Sequence, residues 1–320
     1  MPSVSVVIPN YNGRDLLAQN IPTVFDALRG SDVDDFEVIV ADDASKDDSV
    51  LFLQTHFPQV ILVRNYVNHG FSGNINSGIA KASKTLVLLL NSDVQLAPDY
   101  FAAQFAYFSR TDTFGVMGRI MSLDRNVTQD TAKYPTYRFA KIGSSKNYLP
   151  AQPNGEVYSW FLSGANALVC REKLNLLGGF REIFNPFYFE DVDLGLRAWR
   201  LGFKLYYEHS SVCYHPNSET IKKFPVKSVR RIVKRNQMML HFLHLDGIEG
   251  VFFLLKTLLK SVLYLVKFDS VFLSAFLRFL FHLRALKNEK MSFHSLQREK
   301  GSLRTLANVA DFIKSTLSRS

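Results

Sequence analysis

The stretch Thr85-Leu86-Val87-Leu88-Leu89-Leu90-Asn91-Ser92-Asp93 decides the fold. Its first six residues carry no charge and no polar alternation, the pattern of a strand buried on both faces. The run then delivers one carboxylate, Asp93, to its tip. Three runs of the same kind precede it, Val4–Ile8, Phe36–Ala41 and Val60–Val63, and helix-like segments at Asp15–Leu28, Ser49–His56 and Gly73–Lys81 alternate with them. That alternation predicts an α/β sandwich with a mainly parallel sheet. In such sheets ligands lie beyond the carboxyl ends of the strands, so the residues after each run carry the chemistry.

After the first run comes Pro9-Asn10-Tyr11-Asn12-Gly13, a turn bearing one aromatic ring. After the second, Asp42-Asp43-Ala44-Ser45 places two adjacent carboxylates at a buried strand end, suited either to a base or ribose or to a helix cap. The third leads to the glycine-rich stretch from Asn68 to Gly78, which permits close approach of a ligand. Asp93 suits a hard divalent cation that bridges a diphosphate, because phosphates and water supply most of its oxygen ligands. Farther on, Ser163-Gly164-Ala165-Asn166-Ala167 lies between apolar runs, and Glu190-Asp191-Val192-Asp193 opens a helix after the aromatic Phe187-Tyr188-Phe189. A carboxylate in an apolar surround can act as a general base. His215 ends the strand-like Phe203–Tyr214 and can complete a metal site begun by Asp93.

Charge divides the chain. Residues 1–221 hold 19 basic and 23 acidic side chains, whereas 222–320 hold 19 and 6, so the net +9 of the 320 residues comes entirely from the last third. With 47% hydrophobic and 21% charged residues the composition is globular. Two cysteines, Cys170 and Cys213, cannot staple a chain of this length, and the first residues lack a signal-peptide pattern, so reduced thiols and a cytosolic setting are expected. Three segments follow: 1–221 the α/β part, which carries the strand-end residues, 222–290 basic and helical, and 291–320 a polar tail. A basic amphipathic helix runs through Val229–Leu243, followed by the apolar segments Val251–Lys267 and Ser270–Leu286. Lys256, Lys260 and Lys267 fall within about 40° of one another at 100° per residue and interrupt the run too early for a spanning helix. Residues 222–290 are expected to lie on an anionic membrane surface, and association of copies through the same helices is the other occupant of their apolar faces. The neighbouring apolar segments argue against nucleic acid as the partner of Lys222–Arg235.

Taken in order, Val6-Val7-Ile8-Pro9-Asn10-Tyr11-Asn12, Ala41–Ser45, Asn68–Gly78, Asn91-Ser92-Asp93, Glu190-Asp191 and His215 resemble the family 2 inverting glycosyltransferases with a GT-A fold, a Rossmann-like nucleotide-diphospho-sugar transferase sandwich. The resemblance covers about residues 3–216 and is nearest to the rhamnosyltransferase-like branch. It implies that Pro9, Tyr11, Asn12, Asp42, Asp43, Asn68, Asn76, Ser92 and Asp93 bind the nucleotide-sugar. It implies Asp191 as catalytic base, Glu190, Trp160 and Gly164 at the acceptor, and Asp93 with His215 on Mg²⁺ or Mn²⁺. Asn91 stands where the family commonly has an Asp, which removes one charge from that metal site. The implied activity is transfer from a dTDP- or UDP-linked sugar to a hydroxyl of a lipid-linked glycan in bacterial envelope synthesis, by an enzyme peripheral to the inner face of the membrane. Transfer to a polyprenyl phosphate and a non-catalytic scaffold are the alternatives.

Overall fold

The computed structural model describes residues 2–31, 33, 35–145, 147–148, 156–216 and 225–317. Strands β1 (Val4–Asn10), β2 (Phe36–Asp43), β3 (Ile61–Asn65) and β4 (Leu86–Leu90) are parallel, in the order β3-β2-β1-β4. All five residues of β4 are buried, which explains its uniformly apolar sequence. Helix α1 (Arg14–Gly30) covers one face of the sheet with Leu17, Ile21, Val24 and Leu28, spaced for a single helical stripe. Helix α2 (Ser49–His56) adds Phe52 and Leu53 to that layer. On the other face, α3 (Gly70–Ile79) inserts Ile75 and Ile79 beside Val7 and Ile39. The approach is close: a β-carbon at Gly78 would stand 2.5 Å from Val7 Cγ1.

Beyond β4 the sheet is mixed rather than mainly parallel. It continues β4-β9-β6-β10-β5 through β5 (Gln95–Leu96), β6 (Thr113–Ser122), β9 (Asn166–Cys170) and β10 (Lys204–His215), with β7 (Thr128–Asp130) on β6 and β8 (Val157–Tyr158) on β10. β9 runs antiparallel to both β4 and β6, while β6 and β10 are parallel. The reversal matters to the site. It pairs Asn166, the start of β9, with Leu90, the end of β4, and so brings the 163–165 loop to the carboxyl edge. Helices α4 (Arg171–Leu176) and α5 (Glu190–Arg200) complete this half.

Among the described residues five helices follow: α6 (Val226–His244), α7 (Gly247–Val266), α8 (Ser270–Phe281), α9 (Leu283–Glu299) and α10 (Leu306–Leu317). Met239 and Leu243 of α6, Phe279 of α8, Phe293 of α9 and Ile313 of α10 share one core with Val7 and Ile39 of the sheet. The expected segment Ser270–Leu286 divides at His282, between α8 and α9. The expected polar tail is corrected as well. Leu306, Val309, Ala310 and Ile313 form a buried helical stripe, and the Phe312 ring stands 5.1 Å from Tyr158 and 5.9 Å from Trp199. The boundary placed at 221/222 lies outside the described residues. No described helix is long and apolar enough to cross a membrane.

Candidate active site

At the end of β1, Pro9 is half-buried, Tyr11 is exposed and Asn12 adopts a left-handed φ of 51°. Asn12 N donates to Ser45 Oγ at 2.9 Å, and Asn12 Oδ1 accepts from Lys46 N at 2.7 Å, so the turns after β1 and β2 are laced together. Asp42 and Asp43, expected at the base or ribose, are both buried. Asp42 accepts from Asn10 Nδ2 at 2.8 Å and from Ser45 N at 3.0 Å. Asp43 accepts from His69 N at 2.8 Å and Gly70 N at 3.0 Å, at the start of α3. The unsatisfied N–H groups of a helix start attract a carboxylate, so Asp43 holds the start of α3 while Asp42 braces the turns after β1 and β2. Asn68 lies on the same loop, its Oδ1 accepting from Gly70 N at 3.1 Å. Asn76, expected to close the pocket, is instead paired both ways with the main chain of Phe180, at 2.8 and 2.9 Å.

The tip of β4 is built differently. Asn91 N donates to Ala165 O at 3.2 Å, and Asn20 Nδ2 of α1 holds Ser92 O at 2.7 Å. Asp93 is nearly buried, and His215 Nε2 stands 3.2 Å from its Oδ1. Neither Asn91 Oδ1 nor Asp93 Oδ1 has a hydrogen-bond donor, although both are buried. Oxygen acceptors left without donors beside an imidazole nitrogen fit a divalent cation. Among the described residues no three His, Cys, Asp or Glu side chains cluster as a complete ligand set, so a cation held here relies on substrate oxygens and water for its remaining ligands.

Asp191 and Glu190 open α5. The two residues before them, Tyr188 and Phe189, are non-glycines with φ of 76° and 77°. Left-handed backbone at such residues costs on the order of 1–3 kcal/mol each and concentrates at functional sites. Burial raises the proton affinity of both carboxyls, most strongly for Glu190, whose Oε2 has no partner and which also faces the charge of Asp191. For Asp191 the main-chain N–H groups of Val192 and Gly164 oppose that rise, while Asp130 adds to it and Lys133 subtracts. Asp130 and Lys133, which the sequence gave no reason to single out, are ion-paired at the end of β7, and Asp130 also feels His215. Asp130 thus lies within electrostatic reach of both His215 and Asp191. Trp160, expected at the acceptor, has no exposed surface and packs in the core, where its bulk fills space beneath the sheet.

Side chains far along the sequence hold this strained corner. Asn236 Nδ2 on α6 donates to the carbonyls of Phe184, Phe187 and Tyr188 at 2.7, 3.0 and 2.9 Å. Arg235 donates to Asn185 O. Asp193, fully buried two residues after Asp191, accepts from Arg181 Nη1 and Arg197 Nε at 2.8 Å each and from His244 Nε2 at 2.9 Å. The two guanidiniums hold its carboxyl far below the ordinary range, whereas burial pushes His244 down to about 4 and leaves it neutral. Arg181 also pairs with Glu289 of α9. The sequence signal for these residues was faint: a polar residue inside an amphipathic helix reads as solvent-facing until the fold buries it.

The model of the family described as Glycosyl transferase family 2 matches residues 5–177. A β-1,3-glucosyltransferase of Campylobacter jejuni, named for the acceptor GalNAc(5)-diNAcBac-PP-undecaprenol, is 27% identical over 167 residues, which are 50% of this chain and 52% of that protein. The chain therefore spans about half the length of that relative. The N-acetylglucosaminyl-diphospho-decaprenol L-rhamnosyltransferase of Mycobacterium tuberculosis is 26% identical over 218 residues, 59% of this chain and 69% of that protein. In fold, the mannosyltransferase PcManGT of Pyrobaculum calidifontis, solved with GDP-Man and Mn²⁺, aligns with 98% of this chain and 79% of its own at a TM-score of 0.54 and 17% identity. With more than half of its length matched by the family model, and its strand-end turns in that family's order, the chain belongs to glycosyl transferase family 2.

Proposed function

We propose that the protein moves a sugar from a dTDP- or UDP-linked donor to a hydroxyl of a lipid-linked glycan in bacterial envelope polysaccharide synthesis, with inversion at the anomeric carbon. The observation that carries this reading is Asp191: a carboxylate of raised proton affinity that follows the left-handed Tyr188 and Phe189, at the same edge of the fold as the Asp93–His215 pair. The names of the relatives support a diphospho-polyprenol-linked acceptor, and that of the mycobacterial protein supports rhamnosyl transfer as one donor choice.

Asp191 takes the proton of the acceptor hydroxyl as that oxygen attacks the anomeric carbon. The bond from that carbon to the diphosphate breaks on the opposite face, and its electron pair leaves with the nucleoside diphosphate. A raised proton affinity suits a base that must accept a hydroxyl proton near neutral pH. The transition state has oxocarbenium character, as in glycoside hydrolysis, but diphosphate leaves as a stable anion and needs no proton donor. Tyr11 and Asn12 would line the nucleotide pocket on the frame set by Asp42 and Asp43, with Gly164 and Glu190 on the acceptor side. Asp93, His215 and Asn91 would hold Mg²⁺ or Mn²⁺. A cation there supplies positive charge against the diphosphate.

Asp191→Asn tests the reading. Loss of a general base lowers the rate by about 10²–10⁴, so transfer should nearly vanish while calorimetry finds donor binding close to wild type. Full transfer to a hydroxyl acceptor would falsify the base assignment, and full transfer confined to polyprenyl phosphate would favour that acceptor instead. Asp93→Ala should weaken donor binding in Mn²⁺ and leave metal-free binding alone; equal affinity with and without Mn²⁺ in wild type and variant would remove Asp93 from the metal site.

A further inference from the structure

We propose that helices α7 and α8 seat the protein on an anionic phospholipid surface. Helix α7 is inverted relative to an ordinary surface helix. Toward the protein it buries Phe253 together with the hydroxyl residues Thr257 and Ser261, while Leu255, Leu258, Leu259, Val262, Leu265 and Val266 face outward. The turn into α8 and its far end add Phe268 and Phe281, 90% and 86% exposed. A contiguous apolar face of this extent marks a surface that meets a partner.

Charge selects the partner. Lys256, Lys260 and Lys267 fall on one edge of α7, between its apolar and buried sides, and all three are exposed. Lys141, from the segment after β7, adds to the positive field at Lys260, and so does the half-buried Lys234 of α6, whose ammonium stands 5.9 and 5.5 Å from the ring centres of Tyr264 and Phe272. None of these five has an acidic partner among the described residues. The two acids between 247 and 281 are engaged elsewhere: the Tyr137 hydroxyl donates to Glu249, and Asp269 caps α8 by accepting from Phe272 N at 2.9 Å. A second copy of this face would therefore bring lysine edge toward lysine edge with no free carboxylate between them. Anionic headgroups oppose that edge, and the acyl boundary takes the leucines while the lysine stems reach back to the headgroups.

The seat is joined to the base by one continuous stretch. Asp130 and Lys133, beside Asp191, lead to Tyr137, bonded to Glu249, and to Phe139, whose ring stands 5.4 Å from that of Phe252. The lipid surface thus lies along the acceptor side of the site, a placement that rests on the proposed function, whereas lipid binding itself does not.

The test is cosedimentation of the full chain with vesicles of phosphatidylcholine, with and without phosphatidylglycerol. Binding should require phosphatidylglycerol and weaken with salt, and each of Lys256→Gln and Lys260→Gln should reduce it about five-fold, as expected for a lysine near an anionic surface. Leu255→Glu with Leu259→Glu should abolish binding while leaving thermal unfolding and donor binding unchanged, since both side chains are exposed. Equal binding to both vesicle types, no binding to either, or a wild-type dimer that these two glutamates convert to monomer without any vesicle binding would overturn the proposal. None of these readouts uses transfer activity.

Discussion

The two halves of the carboxyl edge are built on different plans. On the nucleotide side, the turns after β1 and β2 hold one another through partners a few tens of residues apart, as in Asn10 with Asp42 or Asp43 with Gly70, while α3 and the His69 before it reach farther, to Asn185 and Phe180. On the base side, the loop 184–189 is held by Asn236, about fifty residues away, and Arg181 reaches Glu289, 108 residues away. Successive βα units complete the first half as they form. The second half is complete only once the helices after β10 have packed, so α6 and α9 brace the corner around Asp191 and are not merely an appendage carrying positive charge. The division also assigns the helices separate work: α6 and α9 reach α5 through His244 and Gln297, while α7 leaves its apolar side outward and α8 buries Phe272, Ala275 and Phe279 but exposes Leu277, Leu280 and Phe281.

The sharpest way to break this comparison is Asp193→Asn. The change keeps the shape but leaves Arg181 and Arg197 facing a neutral amide, and removing one partner of a buried charge pair costs about 3–5 kcal/mol. Because the folded carboxyl sits far below its ordinary range, its contribution is present above the unfolded value and disappears as pH falls through the folded one. Urea unfolding should therefore show the wild type's advantage at neutral pH and its loss only in strong acid. A difference below about 1 kcal/mol at neutral pH, the worth of an exposed pair, would mean that the two halves do not differ in how they are held.

Asn236→Ala asks the same question more gently. Three carbonyls would lose their shared donor, at about 1–3 kcal/mol for buried groups left unsatisfied. If α6 serves the base side alone, kcat should fall while KM for the donor stays near wild type. A raised donor KM with kcat unchanged would show that the loop before α5 belongs to the nucleotide half.

The same contrast explains what could be read from the sequence. Uniformly apolar β4, the stripe of α1 and the strand-end turns are short-range patterns, and they placed the sheet's first half and the turns at its carboxyl edge. The direction of β9 was not legible, because Asn166–Cys170 reads alike in either orientation. For Asp42 and Asp43 the sequence left a ligand and a helix cap both open, since the pairing of Asp43 with His69 N and Gly70 N appears only once β2 and α3 are adjacent, and that of Asp42 with Asn10 only once β1 and β2 are. The resemblance put Trp160 at the acceptor, but among the three aromatics of Tyr158-Ser159-Trp160-Phe161 the sequence does not announce which one the core will take. Asn236, His244 and Glu289 were invisible, their polar character being ordinary for helices until burial turns them into supports.

The smallest expected effect is also the most specific. Asp191 lies between Asp130, which raises its proton affinity, and Lys133, which lowers it. Transfer requires the carboxylate, so kcat should fall as pH drops through the proton affinity of Asp191 in the bound complex, and burial should place that acid limb above the ordinary Asp value of about 3.9. Asp130→Asn removes a negative neighbour and leaves Lys133 unopposed, which favours the carboxylate and should move the limb to lower pH. Lys133→Gln removes the positive neighbour and should move it to higher pH. Both groups sit on the base side, so neither change should alter donor affinity beyond the few tenths of a kcal/mol expected of distant sites. Shifts in opposite directions at constant donor KM would tie the titrating group to this corner. Parallel shifts, or a limb that ignores both substitutions, would assign the titration to another carboxyl and return Asp191 to a role at the start of α5.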